Sequence, residues 1–288
     1  MKKILKKILC GVLAAVSVFG CAATLTACET AHPEVEMKIE FNGETYTLEY
    51  VLYRDTAPQT VQHFLWLADN GYYDELCVHN YDNQSNRLYT GAYSVAESQS
   101  GANDLVYKKY FDTIKDFANY GEFPKSVWLD KEQTNPTYTL KGEFADNGVT
   151  VATGALKESF GSLSMYYAPI AEETIAEKNV YMLRADDGTT SKCDYQYNYT
   201  TSMFFISLKS SAVTNNAYCT FANLSEDSVD ELKALQDAIN EFEYKEFVDS
   251  TTVLIGEDDP FISSLALDAK VSVPKTPIII KSVKVTKF

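Results

Sequence analysis

The segment RDTAPQTVQHFLWLADNGYYDE, residues 54–75, decides how this chain is interpreted. Asp55 and Thr56 can cap a helix, and Pro58 suits a first helical turn, where its missing N–H would have no partner. Asn70-Gly71 is a common helix end. The segment therefore predicts one amphipathic helix that packs against an apolar surface. Its apolar stripe consists of Val61, Phe64, Leu65, Leu67 and Ala68.

The sequence around this helix has the pattern of β-strands. MKIEFNGETYTLEYVLY (37–53) alternates apolar and polar residues on both sides of Asn42-Gly43, a typical hairpin turn. A second helix is expected over 226–247, and the chain ends in a β-rich run after Pro277. These patterns predict a mainly β fold with one early and one late helix. Further strands are expected near 76–81, 87–93, 161–167, 203–208 and 218–224.

The N-terminus has the pattern of an export signal. Lysines precede an apolar stretch that ends in Leu25-Thr26-Ala27-Cys28, so residues 1–27 are excluded from the fold. Small residues before a cysteine here resemble the lipobox of bacterial lipoproteins, and a plain secretory signal is the alternative. By this resemblance a lipidated Cys28 anchors an extracytoplasmic protein to the cell membrane, followed by a tether over 28–36 and one domain over 37–288.

The net charge limits the partners that are expected, and the cysteine count limits the disulfides that can form. Without the signal, 21 basic and 40 acidic residues are left, a formal net charge of −19. This charge disfavours nucleic acid and anionic membrane surfaces, so the lipid is the only membrane contact expected. Cys77, Cys193 and Cys219 allow one disulfide or three buried thiols. No spacing of ligands predicts a metal, and no cofactor is expected.

Several blocks, in order along the chain, resemble the cyclophilin-type peptidyl-prolyl isomerases. The helix segment and the strands before it resemble the opening of that family, and four later blocks follow. The resemblance implies a closed eight-stranded antiparallel barrel capped by two helices, with insertions near 99–139, 168–200 and 249–275. The later blocks are KGEFADNG (141–148), FGSLSMYYA (160–168), TSMFFISL (201–208) and AYCTFANL (217–224).

Isomerisation of an X–Pro bond twists an amide over a barrier of roughly 20 kcal/mol. The prolyl nitrogen becomes pyramidal in the twisted form, so a charged hydrogen-bond donor aimed at it from a dry groove stabilises that form. In the family this donor is an arginine after a Phe-His pair. In VHNYDNQSNRLYTGAY (78–93), Asn80 follows His79, so the expected arginine is replaced by a short neutral amide.

The remaining groove positions follow from the same resemblance. Arg87 stands where the family has a pocket phenylalanine, and it is either a displaced donor or a solvated rim residue. Phe205 matches the pocket floor or is an ordinary core residue, and the tyrosines either fill the groove or form an aromatic peptide site. The expected groove residues are His79, Leu88, Thr90, Met165, Tyr166, Tyr167, Met203, Phe205 and Tyr218.

Three functions are compatible with these residues. The first is a lipid-anchored isomerase-like protein that acts on prolyl segments of secreted or surface proteins, with weak or lost activity. The second is a non-catalytic peptide-binding or protein-binding module on the same scaffold. The third is a surface spacer whose groove is filled by its own tyrosines.

Overall fold

The computed structural model describes residues 31–97, 103–147, 156–166, 179–183, 190–194, 199–255 and 267–288. The predicted signal, the predicted lipidation residue Cys28 and the predicted groove residue Tyr167 lie outside these ranges. No helix within the ranges is long and apolar enough to cross a membrane.

The described elements are mostly short strands, with few helices. They are β1 (Glu34–Phe41), β2 (Glu44–Leu52), α1 (Pro58–Asp69), β3 (Leu76–Cys77), β4 (Asn80–Asp82), β5 (Arg87–Thr90), β6 (Tyr93–Glu97), β7 (Asn103–Tyr107), α2 (Tyr110–Lys115), β8 (Val127–Trp128), β9 (Leu140–Lys141), β10 (Leu163–Met165), β11 (Asn179–Leu183), β12 (Thr190–Asp194), β13 (Tyr199–Thr200), β14 (Phe204–Ser207), β15 (Thr220–Leu224), α3 (Val229–Asn240), α4 (Tyr244–Phe247), β16 (Val248–Ile255), β17 (Leu267–Pro274) and β18 (Ile278–Lys287).

The main sheet is antiparallel and strongly curled. Its strand order is β3-β18-β1-β2-β15-β10-β14-β5-β4, so its two edge strands are neighbours in sequence. Between them, the Val78 N–H donates to the Ile278 carbonyl at 2.8 Å, and the His79 N–H donates to the Tyr89 carbonyl at 3.0 Å. Residues 76–82 therefore bond to both edges of the sheet, and counted as one strand they give the sheet eight strands. The predicted mainly β fold is confirmed.

Helix α1 packs its apolar stripe against the interior of this sheet. Phe64 lies at the centre, with ring centroids 4.9 Å from Tyr73, 5.5 Å from Phe204 and 5.0 Å from Phe221. Offset and edge-on contacts of this kind stabilise a core beyond the area that they bury. The early helix predicted from the sequence is present, and its Phe64 contacts Phe204 on β14, the strand that also carries Phe205.

The cap of α1 differs from the sequence prediction. The residue before the helix is Ala57, which has no side-chain cap, and the Thr56 hydroxyl donates to the Tyr53 carbonyl instead. The Glu143 carboxylate accepts the N–H groups of Gln59 at 3.3 Å and Thr60 at 2.8 Å. A carboxylate at a helix N-terminus satisfies free N–H groups and suits the helix dipole. A distant residue therefore supplies the cap.

The late helix is shorter than predicted. The expected helix over 226–247 is divided into a 3-10 turn, α3 and α4, with a break after Asn240. At this break the chain turns so that Phe242 and Phe247 stack at 5.2 Å, and both rings pack on Phe41. Phe247 is buried there, whereas Phe242 stays partly exposed and covers Phe41 from outside. Burial of Phe247 and the ring contacts outweigh the few backbone hydrogen bonds that a continuous helix would add.

Two of the small sheets outside the main sheet are hairpins of two strands. Among the described residues, strands β6 and β7 pair only with each other, and β16 and β17 do the same. The second hairpin falls in the segment 249–275 that the sequence marks as inserted and extended. The hairpins share a small apolar cluster with the barrel: Cys77, Ala92, Tyr93, Met203, Val253, Ile255, Val271 and Val273.

Candidate functional site

Strand β5 separates the core from the candidate groove. Leu88 is fully buried in the main core, whereas its neighbours Arg87 and Tyr89 project from the other face of the sheet. Side chains of a strand alternate between faces, so this arrangement follows from the strand itself. In the next strand Phe205 lies directly opposite Tyr89. The outer face of β5 and β14 therefore brings Arg87, Tyr89 and Phe205 together.

The Arg87 guanidinium lies over this aromatic surface. Its central carbon is 4.3 Å from the ring centroid of Phe205 and 4.9 Å from that of Tyr218. Arg87 is only 9% exposed, so the solvated rim position considered from the sequence does not describe it. A guanidinium over an aromatic face is held by dispersion and by the ring quadrupole.

Glu158 holds the guanidinium in place. It accepts two hydrogen bonds from Arg87, from Nε at 2.8 Å and from a terminal nitrogen at 2.7 Å. Lys209 contacts the same carboxylate at 3.0 Å, and the Asn215 amide donates to it at 2.7 Å. The Glu158 side chain is fully buried, and a carboxylate in that position is stable only when it is paired in this way.

The ionisation of this pair follows from its contacts. Burial by itself would raise the pKa of Glu158, but the hydrogen bonds from Arg87 and Lys209 outweigh burial and hold that pKa below its usual value. For Arg87, burial would lower the pKa, and the bonds to Glu158 and to the Tyr89 hydroxyl raise it instead. Both groups are therefore charged near neutral pH.

Three tyrosines surround the guanidinium. Tyr166 lies edge-on to Tyr89 at 5.0 Å and stacks with Tyr218 at 6.2 Å, and the ring of Phe205 meets Tyr89 and Tyr218 at 5.2 Å each. Tyr166 and Tyr218 are half-buried, and Phe205 is fully buried. We call Arg87, Glu158 and these four rings the arginine-aromatic cluster.

The other catalytic candidate, Asn80, has a structural contact. Its side-chain oxygen accepts the backbone N–H of Ser272 at 2.9 Å, which ties strand β17 to the barrel. The adjacent His79 is buried against Tyr93, with ring centroids 4.9 Å apart, and no described group bonds to its Nδ1. Burial lowers the pKa of His79 to about 3, so the ring is neutral at physiological pH. The structure does not bring Asn80 and Arg87 into contact.

The remaining candidates lie in the core or hold strands together. The Thr90 hydroxyl donates to the Cys77 carbonyl at 2.8 Å, across the junction of the sheet edges. Met165 is buried in the main core and Met203 in the hairpin cluster.

Next to Thr90, Gly91 has φ of +95°, and a Cβ there would collide with the Ser202 carbonyl. The thiols of Cys77 and Cys219 are free and buried.

Sequence reasoning missed Glu158. Its segment precedes the FGSLSMYYA block and carries no motif. The signal that could have found it is indirect, because an arginine at an apolar pocket position needs a counter-charge nearby.

Within the described ranges, no group of three His, Cys, Asp or Glu residues could hold a metal ion.

The mainly β fold is that of a cyclophilin-like protein, and comparison with known families agrees. The family model for cyclophilin type peptidyl-prolyl cis-trans isomerase/CLD matches residues 36–254. This chain therefore belongs to the cyclophilin-type peptidyl-prolyl cis-trans isomerase family.

Solved structures with similarity to this chain include cyclophilins of low sequence identity. A Cryptosporidium parvum cyclophilin type peptidyl-prolyl cis-trans isomerase is 15% identical, covers 89% of this chain and 99% of its own, and has a TM-score of 0.44. The Mimivirus cyclophilin is 17% identical, with coverage of 74% and 80% and a TM-score of 0.38. No curated protein matches this chain significantly.

Proposed function

We propose that this protein is an isomerase-like cyclophilin that engages prolyl segments of secreted or surface proteins with weak or no catalytic turnover. One observation carries the proposal: the Arg87 guanidinium covers the Phe205 ring at 4.3 Å and is fixed there by Glu158. Phe205 matches the floor of the family's proline pocket. A prolyl ring and the guanidinium would compete for the same face of Phe205.

Displacement of Arg87 by a substrate is costly. The guanidinium would have to break two charge-assisted hydrogen bonds, and the buried Glu158 would lose its main counter-charge. Separation of a buried pair of this kind costs about 3–5 kcal/mol, which a short prolyl peptide must offset from its own contacts. Weak binding of prolyl peptides at this position is the expected consequence.

The charged hydrogen-bond donor that catalysis requires is also missing from the described part of the open groove. Asn80 stands at the family's arginine position, is neutral, and has its oxygen bonded to Ser272. Arg87 directs N–H groups at Glu158 and at the Tyr89 hydroxyl. Neither residue supplies a charged donor aimed at open groove, so little stabilisation of a twisted amide is expected.

The arginine-aromatic cluster also supports the alternative function, a non-catalytic binding module. Tyr166 and Tyr218 are half-buried, and their rings stack with centroids 6.2 Å apart. Tyrosines of this kind bind peptide by stacking and hydroxyl bonds without any turnover. Tight binding of a peptide without isomerisation would favour this alternative.

The proposed location follows from the N-terminal sequence. Lipidated Cys28 would anchor the protein outside the cytoplasm, with membrane contact through the lipid only and no nucleic acid partner. Labelling with a palmitate analogue, followed by mass spectrometry of the N-terminal peptide, tests this proposal. Loss of the label in Cys28→Ser is the expected result, and an unlipidated N-terminus at another position would contradict it.

A prolyl isomerisation assay on the purified full chain tests the main proposal. Asn80→Arg supplies the donor, and Arg87→Ala with Glu158→Gln opens the floor at Phe205. The combination of all three changes is expected to exceed wild type by about 100-fold, since one well-placed donor contributes 10²–10³. Asn83→Arg, on the exposed turn before β5, is the matched control for added charge.

The outcomes separate the alternatives. Strong wild-type turnover that Arg87→Ala abolishes would make Arg87 the displaced donor and would overturn the proposal of weak activity. If wild type is inert and the triple variant gains activity, the prolyl groove is present and only its chemistry is lost. If the triple variant folds but neither binds nor turns over an Ala-Pro peptide, the cluster is not a prolyl site.

A further inference from the structure

The β6–β7 and β16–β17 hairpins border an open cleft of about 570 Å³. Strand β16 forms one wall along most of its length, and strand β7 contributes to the other. Six consecutive residues of β16, Asp249–Leu254, line the cleft. One face of a strand presents only every second residue, so the cleft follows the backbone edge of β16. The other lining residues are Tyr93, Asp104, Leu105, Tyr107 and Val273.

The strand register shows which backbone groups of β16 face the cleft. The Ser272 N–H on β17 points away from β16, because it donates to Asn80 on the barrel. Ser272 pairs with Ser250, so this is a pair that exchanges no backbone hydrogen bonds. The N–H and carbonyl of Ser250 consequently point away from β17 as well.

This alternation continues along β16. Thr252 and Leu254 follow Ser250 at the strand period of two, so their N–H and carbonyl groups share its direction. The Leu254 carbonyl confirms the direction, because it accepts the Tyr93 hydroxyl from the other hairpin at 3.3 Å. Among the described residues, no strand pairs with this edge of β16. From Ser250 to Leu254 the edge spans roughly 14 Å, the length of about five added residues.

Exposed edges of this kind are usually protected. Soluble proteins place Lys or Pro on them, shorten them or cover them, because an open edge pairs with other chains. Strand β16 (VDSTTVLI) has eight residues, contains neither Lys nor Pro, and is rich in the β-branched residues that favour strands. Its residues from Asp249 to Thr252 are exposed. An edge that combines length, exposure and strong β-propensity is suited to accepting a strand.

Charge and side chains indicate what kind of strand fits. Among the described residues, the cleft is lined by Asp104 and Asp249 and by no Lys or Arg, in a chain with a formal net charge of −15. Lys275 lies 3.5 Å from Asp249, but both side chains are largely exposed, so solvent screens that pair. Exposed Leu254 and half-buried Leu105 offer apolar contacts between the acidic positions.

We propose that the open edge of β16 binds an extended basic segment of a partner protein as an added β-strand. Backbone groups of Ser250 and Thr252 would pair with the guest, and its alternate Lys or Arg side chains would reach Asp104 and Asp249. Main-chain hydrogen bonds supply affinity in this mode, and side-chain positions at alternate residues supply specificity.

A fluorescent nonapeptide of alternating lysine and valine is the probe, titrated against the full chain by anisotropy. Saturable binding that weakens with salt is expected, and a glutamate-valine peptide should bind at least 10-fold more weakly. Thr252→Pro removes an outward N–H without removing a bond to β17, and it should weaken binding at least 10-fold. Thr252→Ala keeps the N–H and is the matched control.

A chemical change in the probe makes the test independent of protein stability. N-methylation of alternate peptide residues in one register should abolish binding, whereas methylation in the other register should not. Strand addition would be overturned if the two methylated peptides bound equally well, or if a lysine-proline peptide bound as tightly as the lysine-valine peptide. It would also be overturned if wild type bound no peptide. Sedimentation that shows a dimer of wild type, lost in Thr252→Pro, would mean that a second copy of the chain occupies the edge instead.

Discussion

Arg87 and Phe205 lie on neighbouring strands with the guanidinium carbon 4.3 Å above the ring, and the fully buried Glu158 fixes that arrangement. A charged side chain therefore covers the surface that, by resemblance to the family, would receive a prolyl ring. On the proposed function, this ionic contact replaces the apolar surface that the resemblance predicts for the groove.

The Arg87–Glu158 pair should dominate the stability of this region. Arg87→Leu and Glu158→Leu are each expected to lower the free energy of unfolding by about 3–5 kcal/mol, because each leaves a buried charge without its main partner. The double variant should lose much less than the sum of the two. Urea denaturation of all four proteins measures this coupling, and additive losses would contradict it. The exposed pair Lys233–Asp230 gives the control, since Lys233→Ala should leave the urea midpoint unchanged.

His79 should make the free energy of unfolding depend on pH within the acidic range, between about pH 3 and pH 6.5. Burial lowers its pKa to about 3, whereas the unfolded side chain has a pKa near 6.5. Between those values the unfolded chain binds the extra proton, so stability is full above about pH 6.5 and falls as pH decreases. His63, with its pKa lowered to about 4, acts in the same direction.

The test of this prediction is His79→Phe, which keeps a ring against Tyr93 and cannot take up a proton. Its urea midpoint should fall less than that of wild type between pH 7.5 and pH 5. The matched variant His63→Phe should remove the other part of the slope. An unchanged slope in both variants would show that neither histidine is responsible.

Thr90 should stabilise the junction of the two sheet edges through one hydrogen bond. Thr90→Val keeps the shape of the side chain but leaves the Cys77 carbonyl without its 2.8 Å donor. An unsatisfied buried carbonyl costs about 1–3 kcal/mol, so the thermal midpoint should fall measurably. Thr90→Ser keeps the hydroxyl and should lie closer to wild type, and the reverse order would contradict the role of the bond.

Asn80 should hold the β16–β17 hairpin to the barrel. Asn80→Leu removes the acceptor for the Ser272 N–H, so hydrogen exchange at Ser272 and its neighbours should accelerate about 10-fold or more. Exchange in β1 and β2 should stay unchanged. Asn80→Asp keeps an oxygen acceptor and is the control, and uniform acceleration across the barrel would indicate global destabilisation instead.

The sequence predicted most of the barrel because local patterns and the order of the family blocks agreed. The turn at Asn42-Gly43, the stripe of α1 and the strands around Phe205 are signals carried by neighbouring residues. Burial of Leu88 beside an outward Arg87 also follows from strand alternation. Such features depend on short-range geometry and are readable before any tertiary contact is known.

The features that sequence reasoning missed depend on distant residues. Glu143 caps α1 from over 80 positions away, and Glu158 meets Arg87 across 71 positions. The break between α3 and α4 arises because Phe242 and Phe247 both pack on Phe41. None of these pairings leaves a local pattern, since the barrel alone decides which side chains meet.

The position of β18 has a consequence for how the protein is made. This strand pairs with β1 along its length and with β3, so the ten residues Ile278–Lys287 join two segments that are synthesised more than 190 residues earlier. During translation these pairings cannot form until β18 has left the ribosome, and until then the edge of β1 that faces β18 is unpaired. Contacts of such long range slow folding. A nascent chain that stops before Ile278 would expose that edge to other chains and to chaperones.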